Sequence, residues 1–211
     1  MLWPSFQVEK ELWKQGCKLI AGIDEVGRGA WAGPVVSAAV VWQEGTVIKK
    51  IRDSKMLNSL QRERLAQKIK AKALSFAIGE ASAREIDELG ILVATKLSMM
   101  RALDGLSVKP DFLLVDAVKL FWEKVACQPI IKGDQKSISI AAASIVAKVY
   151  RDELMAKMDD QDDRYQFNKH KGYGTKLHQE LIDKYGASKQ HRVSWKCFQK
   201  GERKDNLSLF E

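Results

Sequence analysis

The chain has 211 residues, with 45% apolar and 29% charged side chains, which is enough for one sizeable core and too apolar for a disordered chain. Lys and Arg number 35 against 27 acids, a net charge of +8, so the balance leans toward a polyanionic partner and only weakly so. The three cysteines, Cys17, Cys127 and Cys197, are scattered and have no CxxC spacing, which argues against a disulfide framework or a zinc site and for a reducing compartment. The first residues, MLWPSFQVEKELWKQG, lack the apolar stretch of a signal peptide, and no apolar run is long enough to span a bilayer. A cytoplasmic protein is expected.

In chain order, Phe6 to Gln15 has helical spacing and Gly16 is its stop. Lys18–Asp24 and Pro34–Trp42 read as strands, and Thr46–Ile51 as a third, giving an antiparallel meander. Ser59–Ala73 is an amphipathic helix capped by Asn58 or Ser59. Leu74–Glu80 reads as a strand, Ala83–Leu89 as a short helix, Gly90 as a break and Ile91–Leu103 as a further helix. Asp111–Asp116 is a short buried strand and Pro129–Lys132 another apolar run. Ser137–Met158 is a long helix, ended by the acidic stretch Asp159–Asp163. Phe167–Gly174 is a basic, aromatic loop, and Thr175–Tyr185 a helix with Thr175 as its cap. Strands first, then strands alternating with helices, imply an α/β domain with a mixed sheet.

The stretch AGIDEVGRGAWAGPVV, residues 21–36, organises the rest. Adjacent strand residues point to opposite faces, so Asp24 and Glu25 share a site only if the strand ends beside them, which Gly27 and Gly29 make easy. Asp116 and Asp134 repeat the pattern, each an acid where an apolar run stops. Four carboxylates at one sheet edge are ligand chemistry for hard divalent cations, Mg²⁺ or Mn²⁺, and two such ions support phosphodiester cleavage. Taken singly, Asp134 also reads as a helix-dipole partner and Asp116 as a turn acid. Ser137, Ala141, Ser144, Lys148 and Arg151 recur at helical spacing as a small, polar and basic stripe that supports contact with a phosphate backbone, a solvated face being the alternative. Lys169, His170, Lys171 and Tyr173 suit backbone neutralisation and stacking, or an ordinary surface loop. His170, His178 and His191 have no metal spacing and receive no ligand role.

These residues resemble ribonuclease HII. The matching stretches are GIDEVGRGAWAGPVV (22–36), DSKML (53–57), IDELGILVATKLSMMRAL (86–103), LLVDA (113–117), IIKGDQKSISIAAASIVAKVYRD (130–152), HKGYGT (170–175) and HRVSW (191–195). The resemblance implies a ribonuclease H-like fold, a mixed five-stranded sheet flanked by helices, with a catalytic part over 1–158, a small helical C-terminal part over 159–198 that helps hold the duplex, and a flexible tail over 199–211. Metal ligands would be Asp24, Glu25, Asp116 and Asp134, with Asp24 bridging two ions, Mn²⁺ or Mg²⁺. Gly27, Arg28 and Gly29 would read the ribose 2′-hydroxyl, Tyr173 would stack on the following deoxyribose, and Lys55, Ser144 and Lys148 would contact phosphates. The implied reaction is hydrolysis 5′ to a ribonucleotide in RNA/DNA hybrids or DNA duplexes, leaving 3′-hydroxyl and 5′-phosphate ends. That activity serves ribonucleotide removal in DNA repair and replication.

Ala30-Trp31 departs from the family's usual Pro-Leu, and Tyr150 stands where Thr is common. Only 23 residues precede Asp24, too few for the added N-terminal domain of ribonuclease HIII. The terminal Asn206-Leu207-Ser208-Leu209-Phe210 resembles the bacterial sliding-clamp-binding motif, with Asn in place of Gln. Leu207, Leu209 and Phe210 would then dock into the clamp or pack back on the body. A monomer is expected. Two rivals stand beside the nuclease reading: a binding protein on a degenerate nuclease fold, and a DNA resolvase of the same fold. The four acids oppose the first, and the Gly-Arg-Gly turn with Tyr173 opposes the second.

Overall fold

The computed structural model describes residues 3–48, 51 and 57–198. Lys55 and the tail residues Leu207, Leu209 and Phe210 lie outside the described residues. Helix α1 (Gln7–Lys14) precedes strands β1 (Leu19–Val26) and β2 (Val35–Gln43). There follow α2 (Ser59–Lys72), β3 (Ser75–Ala81), α3 (Ala83–Leu89), α4 (Ile91–Asp104), β4 (Phe112–Asp116) and β5 (Ala126–Ile130). The long helix α5 (Ile138–Gln161), a short α6 (Phe167–His170) and α7 (Lys176–Tyr185) complete the order. One five-stranded sheet runs β3-β2-β1-β4-β5. Its β1/β2 and β2/β3 pairs are antiparallel, whereas β1/β4 and β4/β5 are parallel, so the sheet is mixed as the sequence implies.

Strand alternation divides the core in two. Ile20, Val36, Ala38, Val40 and Leu114 face α1, α2 and α5, whereas Ala21, Ile23, Ala39, Val41 and Val115 face α4 and the Leu120–Trp122 segment. Full burial on both faces explains why β1 and β2 read as almost continuous apolar runs. Gly22 is required by this packing, because any side chain there would collide with the backbone of Ser139 where α5 crosses the sheet. Local signals set the helix starts. Asn58 and Ser82 form capping boxes with Gln61 and Glu85, Ser137 caps α5, and Thr175 caps α7.

Four expectations need correction. Thr46–Ile48 and Ile51 form no strand, and residues 49–50 lie outside the described residues. The third strand of the meander is β3, which pairs with β2. Strand β5 begins at Ala126, earlier than its apolar residues suggest, and it tolerates Pro129 because it lies at the sheet edge. Helix α5 continues through the acidic stretch to Gln161, and the expected loop opens with α6 before the chain turns at Lys171 (φ 51°) and Gly172 (φ 80°).

Helix α1 is tied to the start of α5. Glu9 is fully buried, and its Oε1 accepts hydrogen bonds from Ser137 Oγ (2.6 Å), Ser139 N (2.9 Å) and Ser139 Oγ (2.7 Å). Ser5 N donates to Lys136 O at 3.3 Å, and Ile138 N to Ser5 O at 3.3 Å. The N-terminal segment therefore grips the turn that carries Asp134.

Candidate active site

Asp24, Glu25, Asp116 and Asp134 line one cavity of about 350 Å³, together with Val26, Arg62, Ser144, Lys148 and Tyr173. The strand does not end at Asp24, as the sequence reading required. It runs to Val26 against β2, but its parallel pairing with β4 stops at Ile23↔Val115. Beyond that point one edge of β1 is open, so Asp24 and Glu25 reach the same cavity although their side chains leave opposite faces. Asp116 is the last residue of β4. Its Oδ1 accepts from Gly133 N at 2.7 Å, which draws the turn carrying Asp134 onto the strand end. Gly133 packs closely on the end of the Ile140 side chain, which would have to shift to admit a Cβ.

Like charges crowd this cavity. Asp24 and Asp134 are each about 5% exposed. Burial first, then the charges of Glu25 and Asp116, pushes the Asp24 carboxyl well above the usual range, and hydrogen bonds from Ser144 and the Glu25 amide only partly offset this. Burial also raises Glu25, against the pull of Arg28, whose Nη1 lies 3.1 Å from Glu25 Oε1. The other oxygen, Glu25 Oε2, is buried with no hydrogen-bond partner. Among the described residues, no group of three or more His, Cys, Asp or Glu side chains stands close enough together, as placed, to hold a metal ion. The donor set is nonetheless all carboxylate oxygen, short of compensating positive charge and with one oxygen orphaned, which is the chemistry that hard divalent cations satisfy.

Ser144 and Lys148 stand beside the acids, as the helical spacing implies. Lys148 Nζ is held by Asp152 at 2.6 Å. Arg151, from the same stripe, is not solvated. It is fully buried and donates to the carbonyls of Pro34 (3.1 Å), Lys171 (2.9 Å) and Ala32 (3.1 Å). Arg192, also fully buried, donates to Gly33 O (2.9 and 2.8 Å) and Arg28 O (2.9 Å). The two guanidiniums thus hold the loop 28–34 from beneath. Gly27 is packed against Arg151 and leaves no room for a side chain, Arg28 is partly exposed, and Gly29 is exposed.

Tyr173 sits on the cavity rim. A bridge between Ala30 and Tyr173 joins its loop to the Gly-Arg-Gly turn, and Trp31 N donates to Gly172 O at 2.8 Å. Trp31 packs against Gly174, so the Ala30-Trp31 departure fills space behind the turn and away from the acids. Tyr150 is likewise remote, donating to Glu80 Oε1 at 2.5 Å. The sequence reading missed Arg62, which lines the cavity from α2, and the bracing role of Arg192. Arg62 looks like any surface arginine of a polar helix, and only the tertiary fold gives either residue a place.

The ribonuclease HII family profile matches residues 21–198. The ribonuclease HII of Acetivibrio thermocellus is 49% identical over 187 residues, spanning 89% of this chain and 73% of that one. Among solved structures, the ribonuclease H2 of Pyrococcus horikoshii superposes with a TM-score of 0.72 at 26% identity, covering 86% of this chain and 96% of the other. The ribonuclease HII of Archaeoglobus fulgidus, solved in complex with PCNA, gives 0.71 at 26% identity, with 84% and 95% covered. With the family profile spanning most of its length and half of its residues shared with such a relative, the chain belongs to the ribonuclease HII family.

Proposed function

We propose that this protein is a divalent-metal-dependent endoribonuclease that hydrolyses the phosphodiester 5′ to a ribonucleotide, in RNA/DNA hybrids and in DNA duplexes with embedded ribonucleotides. The observation that carries this is the meeting of four carboxylates from β1, β4 and the β5–α5 turn at one cavity, with Tyr173 on its rim and the Gly-Arg-Gly turn joined to Tyr173 through the Ala30 bridge. Asp24, Glu25, Asp116 and Asp134 would hold two Mg²⁺ or Mn²⁺ ions, which would supply an activated water and charge stabilisation at the leaving oxygen. Ser144 and Lys148 would position the phosphate. Lys148 is already oriented by Asp152, and Arg62 adds a second cation on the α2 side. The Gly-Arg-Gly turn suits reading of a 2′-hydroxyl because backbone amides at exposed glycine can approach a ribose closely. Tyr173 offers a ring for the adjoining sugar. Residues 159–198 supply both Tyr173 and Arg192, which supports a duplex-binding role for that part.

Cleavage of a labelled DNA duplex containing one ribonucleotide tests the proposal, with Mg²⁺, Mn²⁺ or chelator and with Asp24→Asn as control. Metal-dependent cutting 5′ of the ribonucleotide, lost in Asp24→Asn, is expected; equal cutting of an all-DNA duplex would remove the ribose assignment. The A. fulgidus complex with PCNA supports a clamp partner for this chain as well. Loss of clamp binding, with intact cleavage, on deleting residues 207–211 is the expected result; unchanged clamp affinity would end that part of the proposal. No helix among the described residues is long and apolar enough to cross a membrane. We place the protein in the cytoplasm as a monomer, which light scattering of the purified chain would check.

A further inference from the structure

Three histidines, one in α6, one in α7 and one beyond α7, meet behind the active-site rim. His170, His178 and His191 are 8%, 0% and 2% exposed. The rings of His170 and His178 stack at 4.2 Å, and His178 Nε2 lies 3.0 Å from His191 Nε2. Their fixed partners determine where each proton sits. Tyr173 O can only accept, so His178 Nδ1, 3.0 Å away, carries a hydrogen. Ser188 N donates to His191 Nδ1 at 2.9 Å, which leaves the His191 proton on Nε2, pointing at the bare Nε2 of His178. Tyr165 O accepts from His170 Nε2 at 2.8 Å, and Gly172 N donates to His170 Nδ1 at 3.2 Å. One set of tautomers satisfies every contact, and in it all three rings are neutral. A proton added to any ring would point two hydrogens at each other.

The network ends on the tyrosine of the cavity rim. His178 holds the carbonyl of Tyr173, and His170 holds the amide of Gly172, the residue before it. We propose that His178, fixed in turn by His170 and His191, is a positioning residue for Tyr173, setting the backbone of residues 172–173 so that the ring faces the acid cavity. This rests on the reading of Tyr173 as a substrate contact. No carboxylate bonds directly to the rings, so a charged ring would gain no close partner. The charges that face them are Asp159 and Asp162 at the end of α5, with Tyr165, Tyr173 and Arg192 beside them, and the Gly-Arg-Gly side contributes the neutral Trp31 ring. Burial lowers all three rings, His178 and His191 to about 4, in keeping with a network that works uncharged.

A double-mutant cycle on a duplex with one ribonucleotide separates positioning from simple packing. Tyr173→Ala, His178→Ala and the double variant are compared with the unaltered protein by kcat and KM, each beside a melting curve. His178→Ala is expected to lower kcat/KM by roughly tenfold or more, to have no further effect once Tyr173 is Ala, and to be rescued by His178→Asn, whose amide keeps the donor to Tyr173 O. Equal losses from His178→Ala in both backgrounds would overturn the proposal and leave the reading of Tyr173 standing. An unchanged rate in Tyr173→Ala would overturn both. Should His178→Ala fail to fold, nitrogen-15 spectra of the unaltered protein at pH 7 decide: neutral rings protonated at Nδ1 in His178 and at Nε2 in His170 and His191 support the network, and any charged ring or other tautomer refutes it.

Discussion

At the scale of single residues, the site is built against its own stability. Asp24 is buried beside Glu25 and Asp116 and is pushed toward its protonated form. A carboxyl raised in the folded state costs stability as pH climbs from the ordinary carboxylate range toward its folded value. Asp24→Asn should therefore abolish cleavage and yet raise the melting temperature of the metal-free protein at neutral pH by several degrees. Added Mn²⁺ should stabilise the unaltered protein and leave the variant less affected. Calorimetry with and without metal checks both; a less stable metal-free variant would contradict the crowding of like charges. The four acids were legible in the sequence because each stands where an apolar run ends. Arg151 was misread because helical spacing reports a face of α5 but not what packs over it, and the loop that covers this face comes from residues 28–34 and 171.

At the scale of elements, two contacts hold α5 over the acids. The first is Gly22, whose missing side chain admits the Ser139 backbone. Gly22→Ala should destabilise the fold by about 3 kcal/mol, since a tightly packed backbone has no direction in which to yield. The second is Glu9, which takes three hydrogen bonds from Ser137 and Ser139. Glu9→Ala would leave those donors buried and unpaired, a loss of about 2–3 kcal/mol, read from urea denaturation. α1 lies before residue 21, where the family match begins. Helices with capping boxes and strands buried on both faces were readable from sequence nearly to their ends. β5 was not, because an edge strand with Pro129 and few buried residues carries little periodic signal. The turn at Thr46 was misread for the converse reason: β-branched residues suit a strand, but the edge of β2 beside them is already occupied by β3.

At the scale of the whole molecule, the C-terminal part and the first strands form one structure. Histidines 178 and 191 have folded values near 4, below the ordinary 6.5. For a base lowered on folding, the contribution to stability is complete above 6.5 and is lost as pH falls through 6.5 toward 4. The protein should accordingly lose about 2 kcal/mol per ring by pH 5, and His191→Gln should flatten that limb of the stability curve. A pH-independent melting temperature between 7 and 5 would contradict the buried neutral cluster. Duplex binding is expected to weaken steeply with salt, given a net charge of +8 and a cavity flanked by Arg62 and Lys148. The mixed sheet was foreseen from the order of elements, but the gathering of three histidines was not, because they come from α6, α7 and the segment after α7, and no single element's spacing links them.

The two buried arginines carry a consequence for the order of synthesis. Arg192 reaches back 164 residues to Arg28 and 159 to Gly33, and Arg151 reaches back 117 to Pro34. A ribosome has delivered all four acids once it passes Asp134, yet the turn proposed to recognise the ribose has only its local contacts, such as Arg28 with Glu25, until Arg151, and then Arg192, have emerged. On that proposal the growing chain gathers its carboxylates early and the brace of its ribose-reading turn last, so chains ending before Arg192 are expected to lose selectivity before they lose the acid cluster.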